Sequence, residues 1–238
     1  MSRPSILLIP GSFALPEFYD AVVDPVKAKG YDFRSLHLPT VGLGPGKPRE
    51  GIPPNMYNDA AFIAKEVETL ADEGKDVILI AHSYGGIPIT QCVKGLAKGE
   101  RVGMRETQFT SRNIISRSND AAFIAKEVET LADEGKDGWR KGREAEEGEA
   151  WIRKMSCHSA ISFTNELTYA GYKDVPVSYL VCEEDLVIPL KNQREEIEMI
   201  ERESGRKVDV TSIKTGHVPI ASQPQLVIDW ILDVVGKA

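Results

Sequence analysis

The residue of this chain best set up for chemistry is Ser83. It lies in Ala81-His82-Ser83-Tyr84-Gly85-Gly86, directly after the apolar run Val77-Ile78-Leu79-Ile80 and before Ile87-Pro88-Ile89-Thr90-Gln91-Cys92-Val93. A buried-strand pattern, a turn of very small residues and a helical pattern, in that order, make a nucleophile elbow, which holds its serine in strained backbone geometry with Oγ exposed. The flanks of so tight a turn need almost no side chain, and Ala81, Gly85 and Gly86 meet that need. Such a serine is suited to covalent catalysis, provided that a base takes its proton and an acid orients the base.

Only His37, His82, His158 and His217 are available as base. His217, in Thr215-Gly216-His217-Val218-Pro219, follows a strand pattern and precedes the last helix, where the base belongs when the chain order is serine, acid, histidine. His82 adjoins Ser83, but neighbouring residues of a strand point to opposite faces, so it is expected to pack and hydrogen-bond rather than act as base. His37 closes an early strand pattern and reads as structural. For the acid, the buried-strand pattern Val177-Ser178-Tyr179-Leu180-Val181-Cys182 releases Glu183, Glu184 and Asp185 at the sheet edge that also carries the elbow. Each of the three carboxylates satisfies that placement. A developing oxyanion would be held by the backbone N–H of Tyr84, which follows the serine, and by that of Ser12 in Pro10-Gly11-Ser12-Phe13.

The elements that must position these residues alternate between strand and helix. Ser5 to Ile9 reads as a strand, Gly11 to Pro16 as a loop, Glu17 to Lys29 as a helix closed by Gly30, and Tyr31 to Leu38 as a second strand. Pro39 to Pro54, rich in Gly and Pro, is irregular. Asn58 to Glu73 is an amphipathic helix, with Ile63, Val67, Leu70 and Ala71 on one face and Gly74 as its stop. Further strands follow at Val177 to Cys182 and Val208 to Ile213, and the last helix runs from about Gln223 to Val235. This alternation predicts a doubly wound, mostly parallel α/β sheet.

One segment occurs twice: Asn58 to Asp76 reappears unchanged as Asn119 to Asp137. Two copies are too few for a repeat architecture. Both carry the same apolar stripe and compete for one slot on the sheet, but only the first leads into the elbow strand. Its tether gives it the higher effective concentration there, so the second is expected elsewhere, as an exposed or lid helix.

With 238 residues the chain fits one α/β domain with room for a lid. Its net charge of -7 argues against nucleic acid or an anionic membrane as partner. Cys92, Cys157 and Cys182 cannot all pair and have no zinc-ligand spacing with histidine. A cytoplasmic location without structural metal or cofactor is the expectation. Ile6-Leu7-Leu8-Ile9 is too short for a membrane span or a signal-peptide core and reads as a buried strand.

Taken together, Leu8-Ile9-Pro10-Gly11-Ser12, the elbow, Cys182-Glu183-Glu184-Asp185-Leu186-Val187-Ile188-Pro189 and Gly216-His217-Val218-Pro219 resemble the α/β-hydrolase superfamily, in particular the esterase-like group of plant methylesterases and hydroxynitrile lyases. The likeness spans about 1–100 and 156–238. It implies an α/β-hydrolase fold with a helical cap, a Ser83, Asp185, His217 triad, oxyanion donors at Ser12 and Tyr84, and a pocket to which Phe13, His158 and Ser159 contribute. It divides the chain into an N-terminal half of the core (1–100), an atypical insert with the duplicated helix (101–155) and a C-terminal half (156–238). The implied activity is hydrolysis of a small or medium carboxylic ester, and a monomer or homodimer is expected. Lyase chemistry with the same triad wants an additional cationic or polar pocket group, which the sequence does not supply.

Arg101 to Ile115 departs from that pattern. An apolar strand is called for between the nucleophile and acid strands, and this stretch is too polar to be buried on both faces. A core strand is then either replaced by Gln108 to Ile115 or missing, which would displace Asp185 from His217 and leave an impaired or inactive scaffold.

Overall fold

A computed structural model describes residues 3–96 and 150–237. β1 (Ser5–Ile9) and β3 (Val77–Ala81) are buried at every position, as their unbroken apolar runs require of central parallel strands. They pair in parallel, Leu8 opposite Ile80 and Ile9 opposite Ala81, and β2 (Asp32–Ser35) pairs with β1 on its other side. The order is β2-β1-β3. β4 (Ser178–Cys182) and β5 (Asp209–Ile213) form a second parallel pair, with Cys182 opposite Ile213.

Among the described residues no ladder joins β3 to β4. The stretch expected to run between them, Gln108 to Ile115, and the second copy of the duplicated segment lie outside the described residues. The first copy occupies the predicted slot as α2 (Met56–Asp72), which turns Met56, Ile63, Val67, Leu70 and Ala71 inward. Its start lies ahead of the repeat. Asn55 caps it by accepting from the N–H groups of Tyr57 and Asn58, and the Asn58 side chain answers by accepting from the Asn55 N–H.

Two local expectations are corrected. The helix expected over Glu17 to Lys29 begins as a 3-10 turn, Pro16–Tyr19, before α1 (Asp20–Ala28). The second strand is only the four residues of β2, since the chain peels off into the Gly- and Pro-rich loop. A strongly charged helix, α4 (Leu190–Ser204), follows β4; it buries Ile197 and Ile200 together with the polar Gln193 and Glu196. α3 (Gly86–Cys92) leaves the elbow, and α5 (Pro219–Ser222) and α6 (Pro224–Gly236) close the chain. Val227, Ile228, Trp230, Ile231, Val234 and Val235 of α6 complete the core around β1 and β3. No helix among the described residues is long and apolar enough to cross a membrane.

Candidate active site

Ser83 has the backbone its motif demands. Its φ of 52° lies in the left-handed region, which costs a non-glycine residue of order 1 kcal/mol or more and persists only where the surroundings enforce it. Enforcement comes from β1. The His82 N–H donates to the Ile9 carbonyl at 3.1 Å, extending the ladder to the edge of the turn, and a Cβ on Gly85 would stand 2.5 Å from that same oxygen. Glycine at 85 is therefore a condition for bringing the elbow against β1.

His217 reaches Ser83 from β5. Its Nε2 lies 2.9 Å from Ser83 Oγ and its Nδ1 lies 2.9 Å from Asp185 Oδ2. A carboxylate only accepts, so Nδ1 carries the hydrogen and Nε2 is free to accept from the serine hydroxyl. Asp185 and His217 are both buried. The other carboxylate oxygen, Oδ1, accepts from the N–H groups of Val187 and Ile188 at 2.8 and 2.9 Å, which fixes the carboxylate plane. Glu183 and Glu184 serve differently. Their backbone N–H groups donate to Ile213 and Thr215 and carry the β4–β5 pairing into the two loops.

The expected displacement of Asp185 from His217 is therefore absent. The acid and the base leave adjacent, directly paired strands, so their mutual placement needs no third strand.

The loop after β1 lies against the elbow: a Cβ on Gly11 would come 3.0 Å from His82 Nδ1 and 3.2 Å from Ser83 Cβ. Phe13 there has φ 63° and is clamped by the segment 156–158. Its carbonyl accepts from the Ser156 N–H at 2.9 Å, and its N–H donates to His158 Nδ1 at 3.2 Å. His158 Nε2 lies 3.0 Å from Ser162 Oγ, and burial pushes this imidazole down to about 3. The His158 ring packs at 4.7 Å from both Tyr84 and Phe163. Ser159 donates its N–H to the Thr40 carbonyl, and its buried Oγ has no partner among the described residues. A cavity opens at Ser83 and His217 with walls of Leu8, Ile80, Leu180, Ile220, Val227 and Ile231; Phe13, His158 and Ser159 are outside that lining.

His82, as expected, hydrogen-bonds rather than meeting Ser83 as a base, and His37 Nε2 binds the Gly42 carbonyl at 2.8 Å. Two supporting residues carry no signal in the sequence. Asp59, fully buried, accepts from Thr40 N–H at 3.0 Å, Thr40 Oγ1–H at 2.6 Å and Tyr84 O–H at 2.7 Å; burial raises its carboxyl above the usual range. Gln193 of α4 staples the acid loop. Its Oε1 accepts from Cys182 N–H at 2.9 Å, and its Nε2 donates to the carbonyls of Cys182 and Ile188 at 2.9 and 2.7 Å. A polar residue one turn into a charged helix looks like any solvated position until its burial is known.

Parallel strands sandwiched by helices, with a strained serine at the end of β3 and an acid and a histidine on the loops after β4 and β5, define the α/β-hydrolase class of fold. The model of the alpha/beta hydrolase family matches residues 6–230. The probable hydrolase R7 of Phoma sp. (strain ATCC 20986 / MF5453) is 33% identical over 99% of this chain and 100% of its own length. The alpha/beta hydrolase nvfD of Aspergillus novofumigatus (strain IBT 16806) is 25% identical over 100% of this chain and 99% of its own. Among solved structures, polyneuridine aldehyde esterase superposes with a TM-score of 0.71 at 14% identity, covering 98% of this chain and 99% of that one. A pyrethroid hydrolase from Sphingobium faniae JZ-2 gives a TM-score of 0.65 at 18% identity, covering 99% and 98%. The chain belongs to the alpha/beta hydrolase family.

Proposed function

We propose that the protein is a serine-dependent hydrolase of small carboxylic esters. The observation that carries this reading is the unbroken line from Ser83 Oγ through the His217 ring to Asp185, at 2.9 Å on each side. Ser83 Oγ attacks the ester carbonyl carbon while His217 Nε2 takes its proton. The tetrahedral oxyanion is held by the N–H groups of Ser12 and Tyr84, and collapse expels the alcohol, which receives the proton from His217. Water then adds to the acyl-serine with His217 again as base, the carboxylic acid leaves and Ser83 is regenerated. Asp185 keeps the hydrogen on Nδ1 and stabilises the imidazolium in both halves. The aliphatic walls of the cavity suit an apolar acyl or alcohol group. The free thiols of Cys92, Cys157 and Cys182 support a reducing compartment, the cytoplasm, and a monomer or homodimer is the working state.

A second reading, a folded scaffold without turnover, draws on the polarity of Arg101 to Ile115, where an apolar strand is called for. Steady-state hydrolysis of a series of short-chain nitrophenyl esters separates the two. The enzyme reading expects saturable turnover lost in Ser83→Ala and reduced about 10⁴-fold in Asp185→Asn. Wild-type rates equal to those of Ser83→Ala select the scaffold.

A further inference from the structure

The nucleophile stands at the end of β3 and the base on the loop after β5, and the side chains of Tyr19 and His82 connect the two. We infer that Tyr19 and His82 form a hydrogen-bond relay that fixes the oxyanion loop, the elbow and the His217 loop to one another, so that both are positioning residues for the chemistry at Ser83. The catalytic part of this inference rests on the function proposed above; the relay itself does not.

Three contacts make the relay. The Gly11 N–H donates to Tyr19 Oη at 2.9 Å, Tyr19 Oη lies 2.9 Å from His82 Nδ1, and His82 Nε2 lies 2.8 Å from the His217 carbonyl oxygen. The directions are forced from the far end. A carbonyl only accepts, so His82 Nε2 carries the hydrogen, Nδ1 is bare and accepts the Tyr19 hydroxyl hydrogen, and the tyrosine oxygen accepts from Gly11. Tyr19 Oη thus has two partners, one accepted from and one donated to, and each ring nitrogen of His82 has one. Tyr19 is fully buried, and burial depresses the His82 imidazole to about 4, which keeps the neutral ring and its tautomer at neutral pH.

Each end of the relay adjoins a reacting group. Gly11 precedes Ser12, whose N–H is a proposed oxyanion donor, and the acceptor at the other end is the main chain of the base itself. His82 is meanwhile anchored to β1 through its own N–H. Displacing a reacting group by about 1 Å can cost a hundredfold in rate, so one relay sets two of the distances on which turnover depends.

The first test needs no turnover: ¹⁵N-imidazole NMR of the full chain at pH 7 should show His82 protonated at Nε2 and bare at Nδ1. A ring protonated at Nδ1 overturns the relay whether or not the protein hydrolyses any ester. The second is kinetic. Tyr19→Phe removes only the hydroxyl and should lower kcat by about ten- to a hundredfold with KM little changed. His82→Gln, which keeps a donor for the His217 carbonyl, should retain more activity than His82→Leu. Adding Tyr19→Phe to either His82 variant should cost little more, because a relay is broken once. Independent, multiplicative losses overturn the inference, and the Gln pair decides the matter if the Leu variant does not fold. Turnover that survives Ser83→Ala would instead remove the proposed function and leave the tautomer result standing.

Discussion

The carboxylate of Asp59 accepts the phenolic hydrogen of Tyr84 at 2.7 Å, tying the first copy of the duplicated segment to the residue that follows the serine. The same carboxylate takes both donors of Thr40. Asp59→Ala leaves three buried donors unpartnered, and at about 1 kcal/mol or more each the loss is about 3 kcal/mol, or a melting point lower by roughly 10 °C. Asp59→Asn, which keeps an acceptor oxygen, should lose less. An Asp59→Ala variant that melts with the wild type would contradict this choice of slot for the first copy.

Gly85→Ala places a methyl 2.5 Å from the Ile9 carbonyl and 2.8 Å from that of Pro10. Both are main-chain atoms of the central strand and its exit, so neither can rotate away. Either the elbow lifts off β1 or β1 bends. Denaturant unfolding should report a loss of about 1–3 kcal/mol or more, accompanied by loss of ester turnover. A variant with wild-type stability and rate would show that the elbow does not need this close approach.

Acid should weaken the fold before it reaches the carboxylates. Burial depresses His82 to about 4 and His158 to about 3, whereas in the unfolded chain both titrate near 6.5. Their neutral forms cost nothing above about pH 6.5. As pH falls below that value the unfolded chain takes up protons that the folded chain refuses, and each such histidine removes about 1.4 kcal/mol per pH unit. Asp59 acts oppositely, because its raised carboxyl holds a proton more tightly in the folded state. The steepest loss from the two rings is therefore expected between about pH 6 and 4, read as a falling urea midpoint. A midpoint constant from pH 7.5 to 5 would contradict the burial of these rings.

What was legible in the sequence is what local chemistry alone decides. The elbow could be read because a strained serine demands small neighbours, and the loops of Asp185 and His217 because both follow strand patterns at the correct edge. The α2 helix was equally plain from its stripe and its closing Gly74. Tyr19, Asp59 and Gln193 were not legible, because each is polar in a pattern that reads as surface and becomes informative only when a partner is brought up by the fold. Tyr19 finds His82 across 63 positions, and His82 finds His217 across 135. The polarity of Arg101 to Ile115 suggested a displaced acid for a sound reason, but the Asp185–His217 pair depends on β4 and β5 alone.

The central claim is that Ser83 is activated as a nucleophile by His217. Titrating the folded protein with a fluorophosphonate and locating the adduct by mass spectrometry tests serine, base and oxyanion donors in one measurement. The expected result is a single covalent adduct on Ser83, formed in step with loss of ester turnover and absent from Ser83→Ala. A folded protein that takes up no label, or the same label in Ser83→Ala, would contradict it.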